Sequence, residues 1–182
     1  NLFYIKEAKL RNMAYSMRLI RKKHPHYKSG IDWCNLDVTD IDADASDLKM
    51  NKGIMSGQLN RCSFNERSGL AMQKISGRAA IGRGQALMED IHLLDAFTDA
   101  RAKYFSMSFA RPRDFRQFTE KIRLDGQLEK SRMSTRTVGF FLPAVSGMNL
   151  DLDAYGELHG TVEHFDISKM RVSLVGHEFS TG

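Results

Sequence analysis

The sequence predicts an α+β fold, with N-terminal and central helices packed on a C-terminal antiparallel sheet of about four strands. Three observations predict it. Apolar residues recur at three- and four-residue spacing near the N-terminus, and a second such run lies in the middle of the chain. From Arg132 to Gly176 the pattern changes to alternation, clearest where Met170, Val172 and Leu174 are interleaved with Arg171 and Ser173.

The first helix is read over Ala8 to Lys22, with Leu10, Met13, Ala14, Met17 and Ile20 on one face. Arg11, Tyr15, Arg18 and Lys22 form a stripe on another face, and Pro25 ends the helix. Residues 29–50 are acidic, and their carboxylates are expected to cap a short helix from about Ala45 or to pair with the basic N-terminus. Trp33, beside Cys34, is expected to anchor this segment against the body. Residues 51–84, with Gly53, Gly57, Gly69, Gly77, Gly82 and Gly84, read as a long loop or hinge. The central helix is placed over Gln85 to Phe105, with Leu87, Ile91, Leu94, Phe97 and Ala102 on or beside one face. A further helix begins near Arg111-Pro112, with Phe115, Phe118 and Ile122 facing inward. Asp125-Gly126 then marks a turn. Four strands follow, over Thr137 to Leu142, Met148 to Asp153, Glu157 to Glu163 and Ile167 to Val175. Residues 1–28 thus form a basic helical arm, 29–84 an acidic then Gly/Ser-rich segment, and 85–182 an α+β core, together one globular domain.

At 182 residues, 42% hydrophobic and 27% charged, the chain is long enough to bury a core without metals or disulfides. Cys34 and Cys62 fit a reducing compartment. With no apolar run long enough to span a membrane and no signal-peptide pattern, the expected setting is cytoplasmic or nuclear, or within an assembled particle. The net charge of +5 is unevenly spread. Residues 1–28 carry eight Lys/Arg against Glu7, whereas residues 29–50 carry six Asp against Lys49. This polarity fits an arm for polyanions, or two segments that neutralise each other within one chain or between two.

The motifs that would carry chemistry are incomplete. Asp40-Ile-Asp42-Ala-Asp44 opens like a calcium loop, but Ala45 stands where the turn needs glycine and Asn51 where a bidentate Glu belongs. Gly77 to Gly84 is spaced like a phosphate loop, yet Arg83 and Gly84 replace the Lys and the Ser or Thr. His92, His159, Glu163, His164, Asp166, His177 and Glu178 form no metal-ligand or catalytic spacing. No catalytic residue, metal or cofactor is therefore assigned.

Arg132-Met-Ser-Thr-Arg136 followed by Asp166-Ile-Ser168 resembles the two signatures of PilZ domains, with Arg171 in place of that family's glycine. The resemblance implies a cyclic-dinucleotide ligand held by Arg132, Arg136, Asp166 and Ser168.

The function expected from the residues themselves is that of a non-enzymatic structural protein that assembles with itself and contacts a polyanion. RNA, DNA or an anionic membrane surface would serve, as for a viral matrix- or nucleocapsid-associated protein. Phosphate contact falls to Lys9, Arg11, Arg18, Arg21, Lys22 and Lys23, with Arg111, Arg113 and Arg116 as a second patch. The alternatives are a protein-interaction subunit of a larger complex and a PilZ-like sensing module.

Overall fold

In the computed structural model the described residues are 3–18, 30–33, 35–142, 145–161 and 164–174. They form one nine-stranded antiparallel sheet in which each strand lies beside its neighbours in sequence. The strands are β1 (Phe3–Arg18), β2 (Asn35–Asn51), β3 (Ile54–Glu66), β4 (Ala71–Gly82), β5 (Gln85–Asp95), β6 (Asp99–Ser108), β7 (Arg123–Ser134), β8 (Asp151–Gly160) and β9 (Phe165–Leu174). Helical structure among the described residues comprises a 3-10 segment, Pro112–Gln117, two single turns, α1 (Phe118–Lys121) and α2 (Thr135–Val138), and 3-10 backbone at Val145.

The α+β expectation is thus overturned in favour of an almost wholly β fold. As far as it is described, the predicted N-terminal helix is β1, and the predicted central helix is the β5–β6 hairpin. The short helix expected from Ala45 is the second half of β2, and the expected loop of residues 51–84 holds β3 and β4. The predicted helix after Arg111 is reduced to the 3-10 segment and α1, and Asp125-Gly126 lies inside β7 rather than in a turn. Of the four expected strands, the first is replaced by α2 and the turn after it. The second and third both overlap the single strand β8, and the fourth corresponds to β9 as far as it is described.

The cause is a recurring bulge. The apolar residues of β2 are Leu36, Val38, Ile41, Ala43, Ala45, Leu48 and Met50, so steps of two are interrupted by steps of three. The pairing slips at both threes, and Asp40 and Asp47 there have φ of 52° and 54°. Each bulge inserts one residue into a strand, and without it every later side chain would point to the opposite face. Asn12 in β1 and Asp90 in β5 do the same, at φ of 51° each. A two-two-three spacing sums to seven, which is also two helical turns, so a bulged strand imitates a helix in sequence.

Two tight hairpins join strands at one end. Lys52-Gly53 links β2 to β3, and Arg83-Gly84 links β4 to β5, with positive φ at all four residues. That is the mirror-image turn whose twist suits a two-residue hairpin. Arg83-Gly84, in the region spaced like a phosphate loop, therefore serves as a turn between strands.

The packed core lies at the opposite end. Ile31, Leu70 and Met72 are buried there, with Trp33, Leu36, Phe64, Ile75, Leu93 and Phe140 against them. The Ile31 amide donates to the Phe140 carbonyl at 2.9 Å, tying residues 30–33 to the turn after α2. Trp33 thus anchors its segment as expected, through this cluster. Asp95, also buried at this end, accepts from the Phe97 and Thr98 amides at 2.7 and 2.8 Å and from Thr137 Oγ1 at 2.7 Å. Glu66 accepts from the amide and hydroxyl of Ser68 at the neighbouring hairpin.

Candidate apolar face and basic rim

Residues that pair across an antiparallel ladder share a face. Following one rung across the sheet gives Phe3, Met50, Met55, Ile81, Ala86, Met107 and Leu124, and it passes through Gly160 of β8 to position 165 of β9. Two residues inward, the rung reads Ile5, Leu48, Gly57, Ala79, Met88, Phe105, Gly126 and Leu158. Further along are Leu10, Ala43, Cys62, Ile75, Leu93 and Ala100. One face is therefore apolar across the strands, and the bulges keep it so. The intervening rungs are polar, as in Tyr4, Lys49 and Ser56, or Arg78, Glu89, Tyr104, Gln127 and Glu157.

Among the described residues this face is covered by the cluster at the packed end and again beside the β6–β7 excursion, where Ile122 and Leu124 are buried, and each strand makes extensive contacts only with its neighbours in the meander. Its middle, including Leu59, Met88, Ile91, Phe105 and Leu128, is half-buried. At the hairpin end Phe3 is 56% exposed and Met55 49%, with Met50 and Ile81 similar. Nine strands at the usual spacing make the sheet about 40 Å wide. Contiguous exposed apolar surface of that extent is the kind found at interaction sites. Cys62 lies on it, and burial pushes its thiol pKa up.

The same exposed end is ringed by cations. Lys52 and Arg83 sit in its two tight hairpins, and Arg111, Arg113, Lys121 and Arg123 belong to the excursion between β6 and β7. All six are exposed, and none forms an ion pair among the described residues. Asp114 is occupied locally, accepting from the Arg111 amide at 2.8 Å.

The residues singled out in the sequence divide accordingly. Lys9, Arg11 and Arg18 share the polar face of β1; Lys9 lies opposite Asp44 and Arg18 opposite Asn35 on β2, while Arg11 donates to the Ala43 carbonyl at 3.1 Å. Among the described residues one ion pair, Arg11 with Asp44, joins the basic N-terminus to the acidic segment. Arg11 bonds the Asp44 carboxylate at 2.6 Å, Tyr4 donates to Asp47 at 2.9 Å and the Asn12 amide donates to Asp42 at 2.8 Å. The Asp47 carboxylate holds the Tyr4 phenol above its usual pKa. Arg21, Lys22 and Lys23 lie outside the described residues. Arg111 and Arg113 fall on the basic rim, with Arg116 in the same 3-10 segment. Asp40, Asp42 and Asp44 are spread along β2 on separate partners. Among the described residues no group of three or more His, Cys, Asp or Glu is placed to hold a metal ion.

The PilZ-like residues do not converge. Arg132 pairs with Asp153 near the packed end, and Arg136, in α2, bonds Asn149 at 3.1 Å and lies over the Phe97 ring. Asp166 and Ser168 are on β9 opposite His159 and Glu157, toward the hairpin end and separated from β7 by β8. On the polar face Asp125 accepts from Tyr104 at 3.0 Å and lies 3.1 Å from His159, while Lys169 reaches Glu157 at 3.2 Å. Asp125 raises the Tyr104 phenol pKa. This chain of pairs is open to solvent and lies on no enclosed cavity.

No family model, curated protein or solved structure matches the chain. Among the described residues no helix is long and apolar enough to cross a membrane.

Proposed function

We propose that the protein is a non-enzymatic scaffold that holds anionic amphiphiles, with acyl chains on the apolar face and headgroups at the basic rim. The observation that carries this reading is the apolar face running across the meander, whose hairpin end over β1 to β4 exposes Phe3, Met50, Met55 and Ile81. An acyl chain removes such a surface from water without needing hydrogen bonds, at about 25 cal/mol per Å². Exposed Lys52, Arg83, Arg111, Arg113, Lys121 and Arg123 beside exposed Phe3, Met50, Met55 and Ile81 set phosphate-binding charge next to the open end of that surface. The polyanion expected from composition is then an anionic membrane surface, with the amphiphile drawn from it. Self-association through the same face is the competing use, because two such sheets packed together would also bury it.

The test uses a Cys34→Ser variant, which leaves Cys62 as the only thiol. Phosphatidylglycerol vesicles should slow maleimide labelling of Cys62 several-fold, with phosphatidylcholine vesicles less effective. Arg83→Glu with Arg113→Glu should abolish that preference. Unchanged labelling with a monomeric protein would overturn the reading, and concentration-dependent protection without lipid would replace it with self-association.

A further inference from the structure

The outer edge of β1 carries a second, independent binding surface. We infer that this edge accepts an extended segment of a partner protein that alternates acidic with apolar side chains, adding it as a further antiparallel or parallel strand. β1 runs for 16 residues, is hydrogen-bonded only to β2 among the described residues, and therefore presents a long row of unpaired backbone groups on its other side. Such an edge is a template for strand addition, in which backbone bonds give affinity and side-chain faces give specificity.

The faces of β1 define the partner. On its apolar face Leu10, Met13 and Tyr15 are each about half exposed, at 48%, 48% and 52%. On its polar face lie Lys9, Arg11 and Arg18, with Lys6 exposed nearby and Glu7 the one acid of the strand. β2 already shows which strand suits this pattern, since Asp44, Asp42 and Asp37 follow its polar face while Ala43, Ile41 and Val38 follow its apolar face. A partner with the same alternation would meet charge with charge and apolar with apolar on the free side.

The same charges disfavour a second copy of this chain. β1 against β1 would set basic rungs opposite basic rungs. β9, the other free edge, carries Lys169 and Arg171 against Asp166 and offers no acidic surplus either. The edge thus discriminates by repulsion as well as attraction.

The experiment uses the full chain and two synthetic peptides, one alternating Asp with Val and one alternating Lys with Val. The Asp peptide should bind at least about tenfold more tightly at low salt, lose that advantage as salt rises, and slow exchange of alternate amides along β1. Lys6→Glu with Arg18→Glu should reverse the peptide preference. Equal binding of the two peptides, or binding that leaves β1 amide exchange unchanged, would overturn the inference. An RNA oligonucleotide that competes fully with the Asp peptide would also overturn it, by assigning the cations to phosphate. Amphiphile capture is read at Cys62, so either reading can fail without the other.

Discussion

At Asp95 one carboxylate serves three donors, the amides of Phe97 and Thr98 and the hydroxyl of Thr137. The first two shape the β5–β6 hairpin, and the third ties α2 to it across 42 positions of sequence. The group is only 8% exposed, so donors stripped of it would have poor access to water. Hydrogen bonds to a charged acceptor contribute about 1.5–3 kcal/mol each, less when they act as a unit. Asp95→Ala is expected to destabilise the fold by roughly 3 kcal/mol. Thr137→Val, which removes one bond, should cost about half that. Urea unfolding of both variants and of the double variant checks this, and the double should fall short of the sum. A double variant whose loss equals the sum would show that Asp95 and Thr137 act separately. Neither role was legible in the sequence, because a buried turn-capping Asp has the same signature as any Asp between two strands.

At the scale of the strand, what misled the sequence reading was the bulge. Leu10 and Met13 are three apart because Asn12 is inserted between them, and Met17 follows after two ordinary strand steps, so the run copies a helical face. In the expected central helix, Leu87 and Leu94 lie on or beside one face with Ile91. Their pairing puts them on the polar face, opposite Ser106 and Asp99, whereas Ile91 is opposite Ala102 on the apolar one. In the tail the end of β9 was legible through the alternation of Met170, Val172 and Leu174, whereas β8 alternates as strictly yet reads as two strands because Gly156 looks like a break. The charge asymmetry of residues 1–28 and 29–50 was legible from composition, and Arg11–Asp44 is the ion pair that joins them among the described residues. Counting residues at a bulge matters more than their chemistry. Deleting Asp90 would move Ile91 and Leu93 to the polar face, whereas Asp90→Gly keeps the count and relieves a left-handed φ. Asp90→Gly is expected to stay within about 1 kcal/mol of the parent, since the ion pair it loses with Arg78 is exposed. The deletion should abolish cooperative unfolding in urea. A deletion as stable as the glycine variant would show that the register is not set by the apolar face.

At the scale of the molecule, each strand among the described residues is paired with its sequence neighbours, so the sheet resembles a repeat array more than a closed barrel. In such an array stability is close to a sum of nearest-neighbour terms, and an end unit can leave without the rest collapsing. Among the described residues the packed cluster draws on Ile31, Trp33 and Leu36, on Leu70, on β3 to β5 and on Phe140, and not on β9. A chain ending at Gly160 is therefore expected to keep β1 to β8. Its far-ultraviolet strand signal should fall only in proportion to the residues removed, and amide protection in β4 and β5 should be unchanged. Amides of β8, now an edge, should exchange faster because they lose their partners in β9. In a closed barrel every strand completes the hydrogen bonding of two others, and removing one exposes both a seam and the interior. Global loss of protection in the shortened chain would mean that β9 closes onto β1 in solution. The apolar face would then be an interior, and its role as an open surface for acyl chains would fall with the open edge of β1.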